Sequence, residues 1–283
     1  MQITQHNQDI LFIPQCGFVS GMPNDVYQGV KSHISNSRMK LMQQSAFHYF
    51  NPSPFTDTRP KQIGSAIHAA ILEPKMFSVD YMLLPEISDR RQPEYKSAKA
   101  IYGEARTFAG DECQNIEDMF NAVYTNDDAA ELLTTKGHCE LSGFCTCPRT
   151  GLKMRIRFDK LLETNQAVDI KKTQSVHDDD LSKTIWNYGY HIQAAFYSYV
   201  YEIITGKKLD RFNFIFVEEK YPQKVAVKYL DDLSLEIGMN TVNELLDKIK
   251  HYTDNGIVPE NNEPTGIISL PEFVMRQYED SIF

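Results

Sequence analysis

The sequence predicts an α+β (mixed α/β) fold. Helical periodicity dominates up to about residue 136, short alternating segments take over after Gly137, and a long helix, a strand pair and a last helix complete the chain. The 283 residues carry 29 Lys+Arg against 38 Asp+Glu, net charge −9, with 42% hydrophobic and 24% charged residues, a mix that buries a sizeable core.

The first thirty residues read as extended and turn-rich, punctuated by Gly17, Gly21, Pro23 and Gly29. A first helix is expected over Ser35 to Phe50, with Met39, Met42, Ala46 and Tyr49 on its apolar stripe and Pro52 and Pro54 stopping it. A second runs from Gln62 to Leu72 and ends before Pro74, and Glu94 to Leu133 is helical in composition. Cys139 to Cys147 and Leu152 to Asp159 read as two strands joined by the turn Pro148 to Gly151. In the second, Leu152, Met154, Ile156 and Phe158 share one face, leaving Lys153, Arg155, Arg157 and Asp159 on the other. Gln166 to Lys172 is a third strand, and a helix from Leu181 to Thr205 follows, closed by Gly206. Arg211 to Val217 and Val225 to Tyr229 are two further strands, and Ser234 to Tyr252 a last helix. The whole chain, 1–283, is expected to form one domain: an N-terminal arm and helix (1–60), a helical elaboration (61–136) and a core (137–283).

Several function classes are disfavoured. No stretch approaches the ~18–20 apolar residues of a membrane span, and the N-terminus lacks the basic and apolar regions of a signal peptide. Five cysteines without a secretory signal point to free thiols in a reducing cytoplasm. Cys139, Cys145 and Cys147 beside His138 have the wrong spacing for a zinc knuckle, and small packed residues are the simpler reading. The acidic balance opposes a simple cationic nucleic-acid coat, while leaving room for a local basic groove.

The chemistry concentrates where Asp159, Asp169 and Lys171 fall with a period of two on neighbouring strands. Two carboxylates at one sheet edge repel each other unless a divalent cation sits between them, and oxygen donors suit magnesium or manganese. Lys171 beside that ion could orient or help deprotonate a water, or stabilise charge developing on a phosphate. A solvated strand face of opposite charges is the bland alternative. Gln193, amid the stripe Trp186, Tyr190, Tyr197 and Tyr201, is a polar group in need of a partner.

The ordered series Gly64-Ser-Ala-Ile-His68, Leu72-Glu73-Pro74, Arg157-Phe-Asp-Lys160, Val168-Asp-Ile-Lys-Lys-Thr173, Tyr190 to Ser198 and Ser269-Leu270-Pro271 resembles the exonuclease VIII (RecE-type) catalytic domain, of the RecB-like branch of the PD-(D/E)xK nucleases. The resemblance runs from about Gly17 to Asp280. It implies a restriction-endonuclease-like core, a central mixed sheet flanked by helices. By position it implies that His68, Asp159, Asp169 and the Ile170 carbonyl bind Mg2+, with Mn2+ as a substitute, and that Lys171 is the catalytic lysine. Gln193 and Tyr197 would support the site and contact DNA, and Glu140 is a further acidic candidate. The implied activity is ATP-independent 5′-to-3′ digestion of linear double-stranded DNA, leaving 3′ single strands for a RecT-type annealing protein, by a homotetrameric ring in a bacterial cell, encoded by phage, prophage or host. In such a ring Lys153, Arg155, Arg157 and Lys172 would line the DNA channel, with Arg38, Lys40 and Arg59 as candidates for the 5′ phosphate. The acidic runs Asp127-Asp128, Asp178 to Asp180 and Asp231-Asp232 would face solvent, and Asp178 to Asp180 reads as a helix N-terminal cap region rather than a metal site. The alternatives are another RecB-like repair or CRISPR-associated nuclease, and a non-catalytic DNA-binding protein on the same fold.

Overall fold

A computed structural model describes residues 3–6, 13–54, 56–261 and 265–282. In chain order the elements are β1 (Ile3–Gln5), β2 (Gly17–Ser20), α1 (Asn24–Gly29), α2 (Asn36–Gln44), α3 (Ala46–Phe50), α4 (Arg59–Leu72), α5 (Pro74–Asp80), β3 (Met82–Leu84), α6 (Pro93–Tyr102), β4 (Thr107–Ala109), α7 (Asp111–Thr125) and α8 (Asp127–Thr134). They continue with β5 (Gly137–Thr146), β6 (Lys153–Leu162), β7 (Gln166–Thr173), α9 (Asp178–Tyr188), α10 (Tyr190–Thr205), β8 (Arg211–Glu218), β9 (Val225–Tyr229), α11 (Asp232–Asp254) and α12 (Glu272–Ile282). The mixed α/β class with a central sheet flanked by helices is the one expected.

Seven strands form that sheet in the order β1-β2-β5-β6-β7-β8-β9. β1 and β2 are parallel, β7 and β8 are parallel, and the other neighbours are antiparallel. The period of two sorts the faces. On β8, Phe212, Phe214 and Phe216 enter one core with Met39, Met42, Ile192, Phe196 and Val242, whereas Ile215 and Val217 enter the other with Ile67, Ile71, Ile116 and Val123. Thus α2, α10 and α11 cover one face and α4 and α7 the other.

Several elements differ from expectation. The helix expected over Ser35 to Phe50 breaks at Ser45, whose extended backbone lets its hydroxyl accept the His48 N–H and start α3 afresh. The helix expected over Leu181 to Thr205 breaks at Gly189, which adopts the left-handed conformation (φ 62°, ψ 42°) between α9 and α10. The stretch from Glu94 to Leu133 includes β4, which pairs in parallel with β3 as a two-stranded sheet, and the N-terminal arm includes α1. Residues 1–2 and 7–12 of that arm lie outside the described residues. Asp178 opens α9, as expected of that acidic run; Asp127 likewise opens α8, and Asp231 caps α11 by accepting the Ser234 N–H at 2.7 Å.

Candidate active site

The β6–β7 ladder pairs Leu161 with Ala167 and Lys160 with Val168, and pairing stops there. Beyond that point the Ile170 N–H has no β6 carbonyl to meet. The Asp159 side chain takes its place, with Oδ2 accepting the Ile170 N–H at 2.8 Å. The two strands are therefore joined by a carboxylate where the backbone ladder ends.

The other groups close around this opening. His68, on α4, places Nδ1 3.3 Å from Asp159 Oδ2 and Nε2 2.9 Å from the Ile170 carbonyl oxygen. Both neighbours are acceptors, so a neutral ring can donate to only one of them at a time. Asp169 is 3% exposed; its Oδ1 accepts from Gln193 Nε2 at 2.7 Å, from α10. The partner that Gln193 requires is thus the second carboxylate. Asp169 Oδ2 makes an ion pair with the Lys171 ammonium that is not aligned as a hydrogen bond. Tyr197, one turn beyond Gln193, packs edge-on against Phe158 at 5.4 Å and lines a cavity of about 260 Å³ with Asp159, Gln193, Glu140, Arg157 and Tyr27.

The electrostatics follow from burial. Desolvation pushes the Asp159 carboxyl up to about 6; His68 and Lys171 pull it down, and the nearby Asp169 charge raises it. Burial acts to lower the Lys171 ammonium, yet Asp169 and Asp159 outweigh it and hold Lys171 above the usual lysine value. Tyr197 is raised well above an ordinary phenol, chiefly by burial.

A divalent cation fits this donor set. Two carboxylates, one backbone carbonyl and one imidazole converge from three elements, and the buried Asp169 Oδ2 meets the Lys171 ammonium alone among the described residues. Among the described residues no three His, Cys, Asp or Glu side chains stand grouped so as to hold a metal ion. His68 leans on Asp159, and Lys171 on Asp169.

The basic residues assigned to a DNA channel are placed differently. Arg155 is 5% exposed, with its guanidinium donating to the Tyr27 carbonyl and lying over the Tyr27 ring at 4.5 Å, so it belongs to the interior. Arg157 pairs with Glu140 at 2.5 Å and donates to the Met22 carbonyl, and Lys172 pairs with Glu219 at 2.5 Å. Lys153 is exposed but six residues from Asp159, about 20 Å along the strand. Arg59 is held by Glu112 and the Thr107 carbonyl, and Arg38 lies over Tyr49. Lys40 alone of the three phosphate candidates is near the centre, where its charge interacts with those of Lys171 and Asp169. Glu140 lies where the β5–β6 register skips from the Cys139–Lys160 pair to Leu141–Phe158, with φ 50°, a left-handed backbone rare for glutamate. Cys145 and Cys147 are buried in the α10-side core and Cys139 packs against the other.

Over residues 35–269 the sequence matches the family described as "PDDEXK-like domain of unknown function (DUF3799)". The chain belongs to this family. Its fold is similar to that of a crystal structure from Eubacterium rectale described as a "Putative exonuclease", at 16% identity and a TM-score of 0.63, covering 90% of this chain and 97% of that one. A second solved structure, of SSO0001, is 10% identical with a TM-score of 0.29, covering 78% of this chain and 88% of that one, too distant to bear on the argument. No curated protein matches the sequence. The PDDEXK-like family and the fold together place the Asp159, Asp169-Ile170-Lys171 cluster on a nuclease-type scaffold.

Proposed function

We propose that the chain is a Mg2+-dependent, ATP-independent exonuclease of the RecE type, digesting linear double-stranded DNA from 5′ ends and leaving 3′ single strands for a strand-annealing partner. The observation that carries this reading is the convergence of Asp159, Asp169, Lys171, His68 and Gln193 where the β6–β7 ladder opens. The description of the Eubacterium rectale protein as an exonuclease supports the same reading.

Asp159, Asp169, the Ile170 carbonyl and His68 would hold the cation. Bound there, it supplies Lewis-acid polarisation of the phosphate and a more acidic water. Lys171, kept charged by the two carboxylates, stabilises negative charge developing on the phosphate. Gln193 fixes the Asp169 carboxylate so that it faces the cation rather than rotating away. Tyr197, braced by the core ring of Phe158, closes the inner wall.

The test is incubation with end-labelled linear, nicked and covalently closed duplex, with and without Mg2+, in the absence of ATP. The reading requires loss of 5′ labels from linear DNA and survival of closed circles. Comparable cutting of circles, attack starting at 3′ ends, or a requirement for ATP would each contradict it.

A further inference from the structure

We propose that the exposed rings of Trp186 and Tyr188, at the end of α9, each offer a stacking surface to unpaired bases of a DNA strand held at the catalytic centre. The proposal rests on the nuclease reading and specifies the form of nucleic acid that the site grips.

Burying a large apolar side chain contributes roughly 1.5–3 kcal/mol, so a ring left in water on an ordered helix end calls for an explanation. Trp186 is 66% and Tyr188 63% exposed. Neither is loose. Trp186 stacks on His191 with centroids 5.2 Å apart and planes 7° from parallel, and His191 is itself buried. Tyr188 stacks on Tyr190 at 5.7 Å and 18°. Each ring is thus supported by a stacked neighbour while most of its surface stays open, and an arriving base finds a fixed surface with little side-chain entropy left to lose.

The Tyr188 surface is tied to the reaction centre through continuous contacts. Behind Tyr188, Tyr190 stacks on Phe214 and Phe214 on Phe216, a ladder of rings running from the core to solvent. The Lys171 ammonium sits 5.0 Å from the Tyr190 ring, so catalytic lysine and Tyr188 share one aromatic support. Lys40 donates to the Tyr188 carbonyl at 2.6 Å, placing a cation beside Tyr188, and Lys183 lies one turn before Trp186 on the same helix face. Open rings flanked by lysines suit a single strand, whose bases expose their faces beside regularly spaced phosphates, at about 1–3 kcal/mol per stacked base. Paired bases inside a duplex are already stacked on one another and have no face to offer.

Trp186 is the only tryptophan of the chain, so its fluorescence reports on that stacking surface alone. The experiment titrates short oligothymidylate, and separately a relaxed covalently closed circular duplex, into the full chain without divalent metal, following Trp186 emission and the anisotropy of a labelled oligonucleotide. The proposal requires quenching by oligothymidylate and little by the closed circle. It also requires about tenfold weaker oligothymidylate binding in Tyr188→Ala and Trp186→Ala, both exposed positions whose folding is checked by circular dichroism. Oligonucleotide binding with unchanged emission, wild-type affinity in both variants, equal quenching by the closed circle, or no oligothymidylate binding would overturn it. Emission that shifts with protein concentration but not with oligonucleotide would overturn it too, assigning the surface to a second copy of the chain. An enzyme that cuts DNA yet shows no quenching removes the stacking proposal alone; absence of cutting by the wild type removes the nuclease reading.

Discussion

Asp169 is held from two sides, by Gln193 through Oδ1 and by Lys171 through Oδ2, and the two partners have separable effects. Gln193→Ala frees the carboxylate to rotate; cleavage should fall about 10–100-fold, with the fold retained by circular dichroism. On the proposed mechanism Lys171→Met removes charge stabilisation but no metal ligand. It should abolish cleavage while leaving Mn2+ affinity measurable by calorimetry, and lost affinity would mean that the lysine organises the ligands. Away from the centre, His33 is pressed down to about 4, first by burial and then by Lys153 and Arg155. Its folded value lies below the ordinary 6.5, so the unfolded chain takes up the proton first; the stability it contributes is full above pH 6.5 and is lost as pH falls through about 4. Urea midpoints of His33→Phe should therefore decline less than those of the wild type between pH 6.5 and pH 4, and parallel declines would refute this. Asp159, Asp169 and Lys171 were legible because a period of two on adjacent strands is a local pattern. Alternation assigns a face but not a depth, which is why Arg155 was misplaced: its burial depends on Tyr27, 128 residues away. Lys40 against Tyr188, across 148 residues, leaves no trace in spacing.

At the scale of elements, α10 presents Gln193 correctly only if it is seated on the sheet, and α11 presses it there. Gly238 makes that approach possible, since a Cβ at this position would strike the His191 carbonyl and crowd Ala195. Gly238→Ala should cost about 2 kcal/mol and lower Tm by roughly 4–8 °C, read by differential scanning calorimetry; an unchanged Tm would show that the two helices separate freely. The strand meander and α11 were legible from periodicity and turn residues. Breaks at Ser45 and Gly189 were not, because one hydroxyl cap and one left-handed glycine interrupt stripes that continue across them. β3 and β4 escaped for a different reason: strands of three residues are too short to show alternation.

For the whole molecule, a net charge of −9 must be reconciled with the proposed DNA substrate. With Arg155 buried and Arg157 and Lys172 paired, the proposed closed ring would pool the cations of several copies around the DNA. Light scattering should then give the mass of about four chains, and binding should weaken steeply with salt; a monomer of unchanged activity would count against the ring. The most direct measurement of the central claim is Mg2+-started hydrolysis of 5′-labelled linear duplex, without ATP, by the wild type and by Asp169→Asn. The account predicts label release by the wild type that stops on chelation, and at least about a thousandfold slower release by Asp169→Asn. Release that survives chelation, or that Asp169→Asn leaves intact, would contradict it.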